Sequence, residues 1–149
     1  MQALPKQVDT VLAALRSEGY SPYLVGGCVR ELLRGREPSD YDMTSDAPPQ
    51  EVLRIFGSAA HPTGVQHGTV TVVSGGLPVE ITTMRRDGAY HDGRHPDSVT
   101  FGTSIEEDLA RRDFTVNAIA LSPSGALIDP YGGREDLKRG ILRCVGEPE

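Results

Sequence analysis

Tryptophan is absent from the 149 residues, and aromatic residues of all kinds make up only 5% of them. A folded core must therefore be built mainly from leucine, valine and isoleucine. No apolar run approaches the ~20 residues that a membrane-spanning helix needs. The N-terminal stretch MQALPKQVDTVLAALRSEG also lacks the continuous apolar segment of a secretion signal. Cysteine is scarce: Cys28 and Cys144 stand far apart, without the spacing of a metal motif. The expectation is two buried, reduced thiols in a cytosolic protein rather than a disulfide. Positive charge is short as well, with 15 Lys and Arg against 21 Asp and Glu, a net charge of −6. A general RNA binder carries a basic field for the phosphates, so this balance argues against a free-standing one.

What is present is ordinary for one folded domain: 24% charged and 38% hydrophobic residues, with no internal repeat. Leu4, Val8, Val11, Leu12 and Leu15 recur at helical spacing and predict an amphipathic helix ended by Gly19. Tyr20–Val25 reads as a short strand, Gly26-Gly27 as a turn, and the next residues as a second helix ending near Gly35. Ser39–Thr44 reads as a strand, and Pro48-Pro49 opens a third helix that Gly57 closes. Gly68–Ser74 and Leu77–Met84 read as strands of a hairpin around Gly75-Gly76. Polar, glycine-punctuated Arg85–Ser98 reads as a mobile loop, and Val99–Phe101 as one more strand. Ser104 with Glu107 makes a capping box before a helix through Leu109. Helices over Phe114–Ala120 and near Arg134–Lys138, then a strand-like ILRCV, complete the pattern. Such a mixture predicts an α+β (mixed α/β) fold, with a small mixed or antiparallel sheet flanked by helices.

Two short constellations carry chemistry. Leu24-Val25-Gly26-Gly27-Cys28-Val29-Arg30 runs a strand into two glycines and then a helix. Without a Cβ in the way, backbone N–H groups come close to an anion, and the helix start adds partial positive charge. Arg30 can reach the same anion; a tight turn followed by a solvated arginine is the plain alternative. Asp40-Tyr41-Asp42 sets two acids at i and i+2, on one face of a strand and ~6–7 Å apart. Carboxylates so close repel unless a cation sits between them, and the two-metal centres of phosphoryl transfer supply one. An exposed Asp-x-Asp turn competes with that view. His91-Asp92 spells the dipeptide of HD phosphohydrolases, but it lies in a glycine-rich loop without the other ligands such a site needs. His61 and His67 lack ligand spacing.

Order and spacing lend these fragments weight that neither has alone. Gly-Gly-x-x-Arg followed ten residues later by Asp-x-Asp resembles the signature of the DNA polymerase β-like nucleotidyltransferases. The longer run YLVGGCVRELLRGREPSDYDMTSDAPPQEVLRIF resembles the first motif of class II tRNA nucleotidyltransferases (CCA-adding enzymes) and bacterial poly(A) polymerases. Arg111-Arg112-Asp113-Phe114-Thr115-Val116-Asn117-Ala118 resembles their second motif. PTGVQHGTVTVV, VEITTMRRDGAYHDGRHPDSVTF and DPYGGREDLKRGILRCVGEP extend the likeness from about Leu12 to Glu147.

The resemblance implies a catalytic head over residues 1–149, with the neck, body and tail regions of the family lying outside it. It implies two magnesium ions held by Asp40 and Asp42, and a triphosphate held by Gly26, Gly27 and Arg30. Arg112 would contact nucleotide, with Asp113 near the ribose and Asn117 in the same motif. Glu80 is similar to a third acid near the metals. The alternation of Val79 and Ile81 against Glu80 and Thr82 independently puts it on the less apolar face of its strand, where a plain surface acid is the other option. Arg85–Ser98, with Arg85 and Arg94, resembles the family's flexible loop, associated with the final AMP addition. Glu31 departs from the aspartate the family commonly has there.

The implied reaction is attack by an RNA 3′-hydroxyl on the α-phosphorus of CTP or ATP. The implied partners are those nucleotides, the tRNA 3′ end and a C-terminal helical region or separate chain, in the cytoplasm and away from any membrane. The resemblance places the family's base-choosing EDxxR helix after the head, so that element is expected to lie outside these residues; Glu107–Arg111 and Glu135–Arg139 spell the same letters within the head's own motifs. The head by itself is thus expected to bind nucleotide weakly, to discriminate little between C and A, and to be weak or inactive. A bacterial poly(A) polymerase head shares both motifs, and a non-catalytic nucleotide-binding module is the rival from another class. The enzymatic view requires the acids at 40 and 42 to share a metal-sized gap with the glycine turn.

Overall fold

The computed structural model describes residues 4–64, 68–84 and 105–145. The Arg85–Ser98 loop with Arg85 and Arg94, the strand expected at Val99–Phe101, Ser104 of the capping box, His67 and His91-Asp92 lie outside the described residues.

The amphipathic stretch forms α1 (Lys6–Ser17), burying Val8, Val11, Leu12 and Leu15. β1 (Pro22–Val25), α2 (Gly27–Leu33), β2 (Tyr41–Ser45) and α3 (Pro49–Phe56) follow. Proline suits the first turn of α3 because its missing N–H would have no partner there. β3 (Ala60–Gly64), β4 (Thr69–Ser74) and β5 (Leu77–Thr83) run antiparallel in succession. Gly75 and Gly76, with φ of 55° and 85°, make a β4–β5 turn that needs positive φ at both positions. α4 (Ile105–Ala110), β6 (Ala120–Leu121), β7 (Leu127–Ile128) and α5 (Gly133–Arg139) complete the order.

Among the described residues the strands form one seven-stranded sheet in the order β3-β4-β5-β2-β1-β6-β7. β2 and β5 pair in parallel, and the other neighbouring pairs are antiparallel, so the sheet is mixed as expected. One face carries Leu24, Met43, Val72, Ile81 and Leu121 into a core shared with α1, α2 and α3. Each such side chain, fully buried, stabilises by about 1.5–3 kcal/mol. Alternation turns the intervening residues to the other face. There Thr71, Glu80, Asp42, Val25 and Ala120 are successive ladder partners in one row across five strands. α4 covers the β1–β6 end of that row, where Ile105 and Leu109 pack with Val25, Ala118 and Ala120. Carboxylates and threonines occupy the rest.

Several segments differ from expectation. Phe114–Ala120 is not a helix: Thr115–Asn117 make a single 3-10 turn and Ala120 starts β6. Thr, Val, Asn and Ile are weak helix formers, and other contacts claim Thr115, whose N–H donates to Arg143 O and whose hydroxyl donates to Asp136. ILRCV is not a sheet strand, because its backbone follows the 113–115 turn through Thr115 N–H to Arg143 O and Val145 N–H to Asp113 O. A bridge joins its Cys144 to Phe114. Both thiols are free as expected, but only Cys28, on the inner side of α2, is buried; Cys144 on this surface segment is exposed. Asp40 lies on a bend ahead of β2 rather than within it. The β1–β2 ladder stops at Val25 and Asp42, where Gly26 turns the chain away with φ 74° and ψ −144°.

Candidate active site

The parallel register sets Asp42 directly beside Glu80, and the antiparallel register sets it beside Val25. The next residue is Gly26. A Cβ at Gly26 would stand 3.8 Å from Asp42 Oδ2 and 3.7 Å from Arg112 Nη1. The turn thus borders a gap between a carboxylate and a guanidinium, and its positive φ gives glycine a backbone reason to be there. Gly27 lies against Arg30, whose Nη2 would be 3.5 Å from a Cβ built there. Arg30 Nη1 donates to Asn117 Oδ1 at 3.0 Å. The end of β1, the start of α2, β2 and the segment after α4 therefore bring Gly26, Gly27, Arg30, Asp42, Arg112 and Asn117 together. Behind the turn, the Cys28 thiol donates to the carbonyls of Val25 at 3.2 Å and Asp42 at 3.7 Å. Burial pushes that thiol up to about 11, so it remains a neutral donor at neutral pH.

The Asp42 carboxyl is held above its ordinary value. Burial is the main cause, followed by the negative charges of Glu80 and then Asp40, with Arg112 opposing them. Asp40 is exposed on its bend, close enough for its charge to be felt at Asp42 but without a place in the ladder. Asp42's acidic neighbour within the sheet is Glu80. Among the described residues, no three His, Cys, Asp or Glu side chains form a ready-made metal cluster. The acids that do converge offer only hard carboxylate oxygens. Magnesium suits such a set, since it takes one or two carboxylates and completes its shell with water and substrate phosphates. A divalent cation would also relieve the repulsion that raises Asp42.

Two grooves flank the acids. Asp108, Arg111, Arg112, Asp113, Phe114 and Asn117 line one of about 550 Å³. Within it Arg111 and Arg112 donate to the two oxygens of Asp108, which is 1% exposed. On the other side, Thr63, Gly64, Thr69 and Thr71 line a groove of about 420 Å³ with Glu80. The Thr63 and Thr71 hydroxyls there are 2.8 Å apart. Sequence reasoning passed over Asp108 and these threonines. The i, i+4 spacing of Asp108 to Arg112 was a readable signal; the burial of Asp108 was not. A third hollow of about 610 Å³, lined by Leu33, Arg34, Arg134 and Lys138 among others, shares no residue with the row of acids.

A mixed sheet with strand-borne acids, a Gly-Gly turn into a helix and two arginines beside them is the arrangement expected of a nucleotidyltransferase head. The chain belongs to the poly A polymerase head domain family, whose model matches residues 22–143. It is 50% identical over 139 residues to the CCA-adding enzyme of Geobacillus stearothermophilus, an alignment covering 93% of this chain and 34% of that protein. The crystal structure of Bacillus stearothermophilus CCA-adding enzyme in complex with CTP matches with a TM-score of 0.84 at 45% identity, covering 99% of this chain and 35% of that one. A tRNA nucleotidyltransferase complexed with a primer tRNA and an incoming ATP analog matches with a TM-score of 0.71 at 34% identity, covering 91% and 39% respectively. The chain thus spans about a third of the length of the CCA-adding enzymes it resembles.

Proposed function

We propose that this chain is the catalytic head of a template-independent RNA nucleotidyltransferase that adds CMP and AMP, from CTP and ATP, to the 3′ end of tRNA. The observation that carries this is the meeting of Asp42 and Arg112 at the Gly26 turn, with Glu80 beside Asp42 in the sheet. The relatives support the substrate class, since one is a CTP complex and another holds a primer tRNA with an ATP analog. The terminal O3′ of the RNA attacks the α-phosphorus, the bond to the β-phosphate oxygen breaks, and pyrophosphate leaves. Asp40, Asp42 and Glu80 would hold two magnesium ions, which when bound supply positive charge to the attacking hydroxyl and the leaving group. Gly26 and Gly27 leave room for phosphate oxygens. Arg30 and Arg112 flank that room with positive charge, and Asn117 fixes the direction of Arg30. These groups supply alignment rather than proton transfer. Asp113, at the rim of the Arg112 groove, serves the ribose. The threonine-lined groove beyond Glu80 receives the ribose at the RNA terminus, so that nucleotide and primer meet over the acids. Base choice and the grip on tRNA fall to helical regions supplied in the same or another chain, and the work is cytoplasmic.

The test is incubation with tRNA lacking its 3′ CCA, labelled CTP or ATP and magnesium, with and without a helical C-terminal region supplied. Two C followed by one A is the expected product of the supplemented reaction. A long A tail would instead assign a bacterial poly(A) polymerase, the second reading that the description of the matched family favours. No incorporation under either condition would leave a non-catalytic nucleotide-binding module.

A further inference from the structure

Asp108 has no role in the chemistry above, yet it is 1% exposed beside the site. A buried carboxylate is tolerated only when paired and hydrogen-bonded, and both of its oxygens are used. Oδ1 accepts from Arg111 Nη2 at 3.0 Å, and Oδ2 from Arg112 Nη2 at 3.2 Å. The helix that carries it is fixed to the sheet by Ile105 and Leu109, which pack on Val25, the residue before the Gly26 turn. The position of Asp108 relative to that turn is therefore set by packing. The Arg112 guanidinium is then tied at Nη2 and borders Gly26 at Nη1, while its Nε is buried with no hydrogen-bond partner among the described residues. A buried donor left open in this way points to an acceptor that arrives with a ligand.

We infer that Asp108 is a positioning residue: it holds the planar guanidinium of Arg112 so that its remaining donors face an oxygen of the bound nucleoside triphosphate. This rests on the nucleotidyltransferase reading. Guanidinium recognition of phosphate depends on fork geometry, which an untethered arginine must find anew at each binding event. The benefit is the same for bound substrate and transition state, so it appears in nucleotide affinity and KM rather than in kcat.

The experiment is an ATP titration of the full chain in magnesium, joined to nucleotide kinetics of the complete reaction supplied with the helical region. Asp108→Asn keeps the size of the side chain and removes the charge that orients the fork. Affinity should fall about tenfold, the scale seen when a residue that orients a ligand-binding group is lost, with kcat within about twofold. Asp108→Glu keeps the charge, displaces the carboxylate by one methylene and should weaken binding in the same direction, which serves if the Asn variant does not fold. In an Arg112→Ala background Asp108→Asn should add nothing, because it acts through that arginine. A folded Asp108→Asn chain that binds ATP as tightly as the parent overturns the positioning role alone. A fall in kcat with unchanged KM, or full additivity with Arg112→Ala, also overturns it and marks Asp108 as structural. A parent chain with no ATP binding at all removes the nucleotidyltransferase reading itself, and this inference with it.

Discussion

The two faces of the central sheet come from the same strands but obey opposite rules. On β2, Tyr41 and Met43 are 2% and 1% exposed in the aliphatic core, while Asp42 between them meets Glu80 and the charge of Asp40. The helix-covered face contributes stability through apolar area. The other face holds like charges together, which works against folding. Asp136 gives the contrast a second form: hydrogen bonds from Thr115 and Arg143 hold its carboxyl below its ordinary value. The contribution of Asp136 is present above the unfolded-state carboxylate value and is lost as pH falls through its lowered folded value. Asp42 has the reverse sign. Its folded form binds the proton more tightly than the unfolded chain does, so stability falls as pH rises from the ordinary carboxylate range through its raised value. One acid braces the fold, and the other is kept at a cost in stability.

The largest effect expected from this difference is at Asp42. Asp42→Asn should lower nucleotide incorporation by at least about a thousandfold, the scale of losing a group that stabilises transition-state charge. Its thermal midpoint should stay or rise, because a repelled, partly buried charge has gone. Magnesium should raise the midpoint of the parent more than that of the variant, since binding to the folded state alone stabilises it. Parallel melting curves and incorporation assays check this; a variant that melts early, or remains active, erases the contrast. One residue beyond Glu80, Ile81→Ala should cost about 2–5 kcal/mol by leaving a cavity in the covered face. Glu80→Gln should leave the denaturant midpoint unchanged or raised. Equal losses at positions 80 and 81 would mean that the two faces do not divide the labour.

The covered face was legible because its signal is periodic. Val8, Val11, Leu12 and Leu15 lie where helical spacing puts them, and Val79 and Ile81 where alternation puts them. The site was legible in part because the order of Gly26, Arg30 and Asp42 follows the local path of the chain from strand to turn to helix to strand. Short elements gave no such signal: β6 and β7 have two residues each. β3 carries Pro62, which an edge strand tolerates but which hides the strand from a pattern search. Asp40 was misplaced because strand alternation was extended two residues past Asp42, where Gly26 ends the β1–β2 ladder. Asp108 sits in the acid-rich IEEDLA helix and reads as a solvated acid until the sheet beneath it is seen. Gly133 opens α5. In the fold, a Cβ there would lie 2.0 Å from Thr115 O, which is why α5 can pack against the 115–117 turn that carries Asn117.

The smallest effect concerns the end of the row farthest from the arginines. Thr71 is the ladder partner of Glu80 on the side away from Asp42, and its hydroxyl pairs with that of Thr63 in the groove beyond. If that groove takes the terminal ribose, the hydroxyls there read the 2′-OH that separates RNA from DNA. Thr71→Val keeps the branched shape and removes one neutral hydrogen-bonding group, worth about 1 kcal/mol or roughly fivefold. With the helical region supplied, the variant should extend a primer ending in a ribonucleotide about fivefold less efficiently. A primer ending in a 2′-deoxynucleotide should be extended at the parent rate, so discrimination narrows while nucleotide KM holds. Equal losses on both primers would move the ribose site elsewhere and return the threonines to a purely structural part in the sheet.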